Sequence, residues 1–196
     1  MIDGIEVLKA FQVHRGDSIV TTNGTIGRRW PEVSTNPNRD LRLSGSMGHT
    51  TPAAFGLALG LPGEKVVIID SEGALLMNLG VLASIAGKAP KNFVHFLLDN
   101  ECYATTGGQP VPNAQRIDYA GLAKSAGYAS THHFDDLEDL VTSMGTIMNE
   151  EGPVFVSVKI EAEVQNLPIG LRERSVGRSR DESIRDFQKE LGIETV

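Results

Sequence analysis

Continuous apolar runs alternate along this chain with segments whose apolar positions recur at helical spacing. Three runs, at residues 66–69, 93–98 and 153–160, consist mostly of apolar residues, as strands do when helices cover both faces of their sheet. A fourth run, rich in β-forming residues, spans residues 18–22 and ends in an Asn-Gly turn. The pattern therefore predicts buried strands of a parallel sheet.

Helical spacing predicts helices between and around these strands. They cover residues 5–11, 50–61, 74–86, 119–126, 135–148 and 181–191. Asp135 is the predicted N-cap of the fifth helix, and Val141 belongs to its predicted apolar stripe. Residues 28–42 are predicted to form a loop, because they are polar and rich in proline and asparagine.

This order of elements predicts the fold class. Helices that alternate with buried strands indicate an α/β fold, with a doubly wound, mostly parallel sheet and helices on both faces. We expect residues 1–196 to form a single domain. The tail at residues 168–196 is expected to pack on this domain or on a partner.

Composition narrows the class of function. With 196 residues, 40% hydrophobic and 22% charged, the chain has the balance of a soluble globular domain. A net charge of −7 argues against general nucleic-acid binding, which needs a basic face. The single cysteine, Cys102, excludes an intramolecular disulfide, and neither a signal peptide nor an apolar run of roughly 18–20 residues is apparent. We expect a cytoplasmic protein that contacts no membrane.

Two polar turns follow two of the predicted strands and contain candidate metal ligands. The acidic turn at residues 70–73 follows the run at 66–69, and Asn100 follows the run at 93–98. Because the carboxyl ends of parallel strands meet at one edge of the sheet, the carboxylate of Glu72 and the amide of Asn100 can converge there. Magnesium prefers such oxygen ligands and often shares them with phosphate groups. The turns therefore predict a magnesium-diphosphate site.

Three segments, in this order, resemble the diphosphate-binding domain of thiamine-diphosphate enzymes, in particular the sulfopyruvate and phosphonopyruvate decarboxylase group. They are Gly-Ser-Met-Gly-His at residues 45–49, Ser-Glu-Gly-Ala-Leu-Leu-Met-Asn at 71–78, and the stretch at 98–109, which contains Asp-Asn-Glu-Cys-Tyr and ends in Thr-Gly-Gly-Gln. The likeness is specific over roughly residues 15–110. It implies the thiamine-diphosphate-binding fold, with thiamine diphosphate and Mg²⁺ as cofactors.

The resemblance also implies residue roles. The metal ligands would be the side chains of Glu72 and Asn100 and the backbone carbonyl of Cys102. Met47 matches the apolar residue that bends the cofactor. His49 is a candidate contact to substrate or to a partner's cofactor pocket, or a structural residue at the start of a helix. Residues around the diphosphate would be Gly24, Thr25, Gly45, Ser46, Met47, Gly73, Ala74, Tyr103 and Ala104, with Thr105 in the adjoining pocket wall.

The acidic turn supports this assignment and also departs from the family pattern. Gly73 and Ala74 begin a predicted helix, whose free N–H groups attract an anion. The family's Gly-Asp-Gly reads Ser71-Glu72-Gly73 here, and the extra methylene of Glu72 lengthens its reach by one bond. Either this turn lies farther from the metal than the Gly-Asp-Gly turn of the family, or the affinity for the metal is lower than in the family. Asp70 lies two positions too early to be a direct replacement.

The expected function is shared between two chains. Full enzymes of the group carry a second, pyrimidine-binding domain, for which 196 residues leave no room. We therefore expect a hetero-oligomer with a pyrimidine-binding alpha subunit, or a homodimer of the isolated chain. The implied activity is decarboxylation of a small anionic 2-oxoacid, such as sulfopyruvate or phosphonopyruvate. A split carboligase of the acetolactate synthase type and a non-catalytic cofactor-binding subunit remain alternatives.

The remaining histidines, the basic stretch near the C-terminus and the cysteine thiol have no clear catalytic role in the sequence. His95 lies within a predicted strand and is expected in the core, whereas His132 and His133 are placed near a loop without ligand spacing. The basic stretch at residues 172–180 could meet an anionic substrate or an acidic partner, or form a solvated or subunit-contact tail. The Cys102 thiol has no recognisable base nearby in the sequence.

Overall fold

The computed structural model describes residues 1–43, 46–167, 171 and 177–193. Within these ranges the helices are α1 Gly4–His14, α2 Gly24–Gly27, α3 Thr50–Gly60, α4 Glu72–Met77, α5 Val81–Lys88, α6 Tyr119–Ala126, α7 Leu137–Asn149 and α8 Arg180–Glu190. The strands are β1 Ile19–Thr22, β2 Val66–Ser71, β3 Phe93–Asp99, β4 Cys102–Tyr103, β5 Gln109–Pro110, β6 Ser130–Phe134 and β7 Val154–Lys159. No helix in the described ranges is both long and apolar enough to cross a membrane.

Five strands form one parallel sheet in the order β1-β2-β3-β7-β6. β3 lies at its centre, and every one of its residues is buried. Because all five strands run the same way, their carboxyl ends lie along a single edge. The predicted parallel sheet is confirmed, and the two candidate turns follow the neighbouring strands β2 and β3.

Helices cover both faces of this sheet. Successive strand residues point to opposite faces, so Val94 and Phe96 pack in one core while Phe93 and Leu97 pack in the other. Buried residues of α1 and α7 line the first core, and those of α3, α5, α6 and α8 line the second. The predicted doubly wound α/β architecture is therefore confirmed.

The predicted helix at residues 74–86 is wrong as a single element. α4 ends at Met77, and α5 begins at Val81. Asn78 leaves helical geometry at φ −146°, and its side-chain amide donates to the carbonyl of Gly48 at 3.0 Å. The helix is interrupted where this long-range hydrogen bond forms, although the apolar pattern runs on through the break.

Two details of α7 also differ from the prediction. Its N-cap is Asp136 rather than Asp135, since the Asp136 carboxylate accepts from the N–H groups of Glu138 and Asp139. Val141 is 47% exposed and so lies outside the apolar face that the helix turns to the core.

Several short or polar helices and strands were not predicted from the sequence. The region predicted as a loop contains two 3₁₀-helical turns, Trp30–Glu32 and Pro37–Arg39, and the indole of Trp30 is buried in the first core. His132 and His133 lie on the short edge strand β6, close to the loop that follows it, and this strand was not predicted. The hairpin of β4 and β5 was likewise not predicted.

The described part of the C-terminal tail packs on its own chain. α8 buries Phe187 in the second core, and the Ser183 hydroxyl accepts from the N–H of Arg42 and donates to the carbonyl of Asp40. Arg178 forms an ion pair with Asp186. Arg172 and Arg174 of the predicted basic stretch lie outside the described residues.

Candidate active site

A buried carboxylate lies at the carboxyl edge of the sheet. Glu72 directly follows β2 and is the first residue of α4, where only 1% of it is exposed. Neither carboxylate oxygen has a hydrogen-bond partner. A buried carboxylate without partners is costly in its charged form, so this position favours either a proton or a cation.

The electrostatics of Glu72 agree with this geometry. Burial and then the nearby Asp99 carboxylate raise the pKa of Glu72 from 4.5 to about 8. The N–H groups of Glu72, Asn100 and Gly73 favour the ionised form and partly oppose this rise, yet none is in hydrogen-bonding geometry with the carboxylate. A divalent cation at this place would supply the missing positive charge.

The loop after β3, which contains Asn100 and Cys102, lies beside Glu72. The Asn100 side-chain oxygen accepts from the N–H of Cys102 at 3.1 Å, which fixes the amide within the turn. Cys102 lies across the hairpin from Pro110, which has no N–H to donate. The preceding carbonyl, that of Glu101, accepts from Val111 at 3.0 Å. Because carbonyls alternate in direction along an antiparallel strand, the Cys102 carbonyl points away from β5.

Glu72 and the second loop are close enough to influence each other. Besides the effect of the Asn100 N–H on Glu72, burial and the charges of Glu72 and Glu101 raise the pKa of the Cys102 thiol above its ordinary value of 9. A protonated thiol is a poor nucleophile, so the raised pKa argues against a nucleophilic role for the Cys102 side chain.

These groups fit a hard divalent cation. One carboxylate, one amide oxygen and one backbone carbonyl form an all-oxygen ligand set of the kind magnesium uses alongside phosphate oxygens. Among the described residues, no three His, Cys, Asp or Glu side chains are grouped to hold a metal. Asp70, the other acid of this turn, is already engaged by the side chains of Asn23 and Thr51 and by the N–H of Ser71.

A narrow cleft with a volume of only about 10 Å³ joins these loops to the turn after β1. It is lined by Asn23, Gly24, Thr25, Ile26, Gly27, Asp70, Ser71, Leu98, Asn100 and Ile160. Gly24 has a left-handed φ of 79°, and a Cβ atom there would lie 2.7 Å from the Cβ of Ser71. Only glycine therefore allows the two turns to approach this closely. The predicted diphosphate residues Gly24 and Thr25 share this cleft with Asn100.

The other predicted diphosphate residues surround the start of α4. A Cβ on Gly73 would lie 2.8 Å from the ring of Tyr103, so this ring lies directly against the Gly73 backbone. Ala74 on α4 and Ala104 next to Tyr103 are both buried, and the Thr105 hydroxyl hydrogen-bonds that of Thr25 at 3.1 Å. Because α4 has six residues and not thirteen, its dipole is weaker than the predicted helix implied.

The segment with Met47 lies over this helix start. Met47 is 42% exposed, and its terminal methyl lies 3.5 Å from the place of a Cβ on Gly73. His49 is exposed, with Nδ1 3.1 Å from the Met47 carbonyl oxygen. Ser46 is also exposed, whereas Gly45 lies outside the described residues. The structure thus brings Met47 to Gly73, while the side-chain hydrogen bond of His49 is local to its own segment.

Several residues of this edge were missed from the sequence. Asn23 carried a turn signal, but nothing indicated that its side chain reaches Asp70. Lys159 ends β7 and contacts Asp99 at 2.9 Å, a pairing that only the strand order reveals. Asn78 anchors the Met47 segment through Gly48 and had no signal of its own.

The histidines of the strands are structural. His95 is fully buried, with Nδ1 3.3 Å from the Tyr128 hydroxyl and Nε2 3.6 Å from Asp70. His132 on β6 contacts Glu150 at 3.0 Å, away from the carboxyl edge described above.

A parallel α/β sheet with polar loops after two neighbouring strands, and a glycine turn packed against one of them, is an architecture that binds ligands at the carboxyl edge of its sheet. The family model described as "Thiamine pyrophosphate enzyme, C-terminal TPP binding domain" matches residues 28–158, and the chain belongs to this family.

Similar proteins are known by sequence and by structure. The chain is 32% identical to sulfopyruvate decarboxylase subunit beta of Methanothermobacter thermautotrophicus, over 97% of this chain and 96% of that protein. It is 34% identical to phosphonopyruvate decarboxylase of Streptomyces hygroscopicus, over 73% of this chain but only 35% of that protein. A solved structure of benzoylformate decarboxylase from Polynucleobacter necessarius has the same fold, with a TM-score of 0.69 and 20% identity, covering 82% of this chain and 33% of that one.

Proposed function

We propose that this chain is the diphosphate- and magnesium-binding subunit of a two-subunit, thiamine-diphosphate-dependent decarboxylase. Its substrate is a small anionic 2-oxoacid of the sulfopyruvate or phosphonopyruvate type. The observation that carries the proposal is the Glu72 carboxylate, buried and without a hydrogen-bond partner beside the Asn100 loop. The relatives named as sulfopyruvate and phosphonopyruvate decarboxylases support the substrate class.

In this proposal the metal is held by Glu72, the Asn100 amide and the Cys102 carbonyl. Gly24, Thr25 and the backbone at Gly73 would hold the diphosphate. Thiamine diphosphate, when bound, supplies the electron sink that decarboxylation of a 2-oxoacid requires. The protein's own task is to bind, orient and desolvate the groups around it.

Residues 46–49 border the space above α4. The Met47 side chain lies against Gly73 and presents an apolar surface that excludes water and shapes the cofactor. His49 is exposed at the same place and is available to a substrate or to a neighbouring chain. In the proposal, a pyrimidine-binding alpha subunit completes the site. The relative matched along nearly its whole length is itself named a beta subunit, which supports two chains.

Activity of the native complex tests this function. The chain is purified through an affinity tag from its own cells, together with any subunits bound to it, and compared with the chain expressed alone. CO₂ release from sulfopyruvate and from phosphonopyruvate is measured with and without thiamine diphosphate and Mg²⁺. We expect turnover by the complex only, dependent on both cofactors.

Other outcomes separate the alternatives. Strong turnover by the chain alone would contradict the two-chain site. Formation of acetolactate from pyruvate would favour a carboligase, a possibility raised by the 27% identity to the acetolactate synthase isozyme 1 large subunit of Escherichia coli. Cofactor binding without either reaction would favour a non-catalytic subunit.

A further inference from the structure

One cation from the neighbouring strand holds the loop that carries two of the proposed metal ligands. Lys159, the last residue of β7, lies across from Asp99, the last residue of β3. Its ammonium nitrogen is 2.9 Å from Asp99 Oδ2 and 2.6 Å from Glu101 Oε1. The side chain of Lys159 is 19% exposed, that of Asp99 4% and that of Glu101 31%, so the contact with Asp99 is the more sheltered from water.

The bridge fixes an unfavourable backbone conformation. Glu101 has a left-handed φ of 63°, which residues with a side chain adopt only when their surroundings hold them there. Asp99 Oδ1 accepts from the N–H of Glu101 at 3.1 Å, while Lys159 holds the Glu101 carboxylate. Because Glu101 stands between Asn100 and Cys102, its conformation sets how the Asn100 amide and the Cys102 carbonyl are placed.

We propose that Lys159 is a positioning residue of this metal loop. By bridging Asp99 and Glu101, it keeps Asn100 and Cys102 in the arrangement that binds a divalent cation next to Glu72. The inference rests on the proposed function, since it concerns the ligands of the same metal.

Whether removal of the Lys159 ammonium group weakens or tightens metal binding distinguishes a positioning role from a simple effect of its charge. Lys159 carries a positive charge close to a cation site, so by Coulomb repulsion alone its removal would tighten metal binding. If Lys159 positions the loop, its removal weakens binding in spite of the relieved repulsion. Groups that orient metal ligands typically contribute about 10–100-fold to affinity.

Mn²⁺ binding, followed by electron paramagnetic resonance with saturating thiamine diphosphate, measures this effect. We expect Lys159→Met to raise the dissociation constant for Mn²⁺ by about tenfold or more. Lys159→Arg restores most of the affinity, since it restores the cation. The matched control is Lys91→Met, because Lys91 pairs with Glu151 on the exposed surface and should change binding by less than about twofold.

A second variant separates positioning from general stability. Glu101→Gly removes the carboxylate that Lys159 holds, but glycine adopts a φ of 63° without strain. We expect its melting temperature to be maintained, and we expect Lys159→Met to cause little further loss of Mn²⁺ affinity when it is combined with Glu101→Gly. If Lys159 acted by its charge alone, Lys159→Met would tighten Mn²⁺ binding in both backgrounds.

The possible results are distinguishable. Unchanged or tighter Mn²⁺ binding by Lys159→Met, in a protein whose wild type binds Mn²⁺, would overturn the positioning role. If the wild type shows no Mn²⁺ binding that depends on thiamine diphosphate, the proposed function itself fails. Should circular dichroism reveal that Lys159→Met does not fold, the milder Lys159→Gln takes its place, and weaker or tighter Mn²⁺ binding decides in the same way.

Discussion

Replacement of Glu72 by glutamine should remove a large pH dependence from the stability of the cofactor-free protein. Burial and Asp99 raise the pKa of Glu72 from 4.5 to about 8, so the folded protein keeps a proton that the unfolded chain has already lost. The stability contributed by the neutral acid is therefore complete below pH 4.5 and is lost as the pH rises toward 8. Glutamine has nearly the same shape and stays neutral throughout.

The size of the effect follows from this window. Each pH unit in which only the folded state holds the proton lowers the free energy of unfolding by about 1.4 kcal/mol. Between pH 5 and pH 8 the wild type should therefore lose about 3 kcal/mol relative to Glu72→Gln. That is a considerable part of the roughly 5–15 kcal/mol that stabilises a typical domain.

Urea unfolding followed by circular dichroism measures this difference. Wild type and Glu72→Gln are compared at pH 5, 6, 7 and 8, because the titrations of all other groups cancel in the difference between them. A chelator keeps divalent metal ions away from Glu72. If the difference between wild type and Glu72→Gln does not vary with pH, Glu72 is not the buried, proton-holding acid described above.

Three further substitutions test neighbouring parts of the site. Gly73→Ala would place a methyl group 2.8 Å from the Tyr103 ring and should weaken thiamine diphosphate binding by about 1–3 kcal/mol in calorimetry, whereas Gly80→Ala, with open space around it, should not. Asn78→Ala loses its hydrogen bond to the carbonyl of the Met47 segment and should lower the free energy of unfolding by about 1 kcal/mol, and an unchanged urea midpoint would contradict this. Cys102→Ser should keep Mg²⁺-dependent activity, because the raised pKa leaves the thiol protonated at neutral pH; a large loss of CO₂ release would mean that the thiol takes part.

The strands and the two site loops could be predicted because they depend on local patterns. β2 and β3 are continuous apolar runs that end in polar turns, and this places Glu72 and Asn100 at one edge before any coordinates are known. The edge strand β6 was missed because its sequence, Ser-Thr-His-His-Phe, is polar and only partly buried. An edge strand with one neighbour has less need for apolar residues on both faces.

The remaining errors have long-range causes. The break between α4 and α5 depends on the hydrogen bond from Asn78 to Gly48, which no local pattern reveals. The N-cap of α7 had two adjacent candidates, and backbone geometry favours Asp136. Lys159 could be connected with the metal loop only once β7 was known to lie beside β3. The residue roles implied by the family resemblance stay predictions until a ligand is bound.

Anomalous X-ray scattering from crystals grown with thiamine diphosphate and Mn²⁺ tests the metal assignment most directly. We expect one manganese peak bonded to the Glu72 carboxylate, the Asn100 side-chain oxygen and the Cys102 carbonyl oxygen, at distances near the ~2.1 Å typical of Mg²⁺. A peak that lies out of reach of Glu72, or diphosphate density without any metal at this edge of the sheet, would contradict the account.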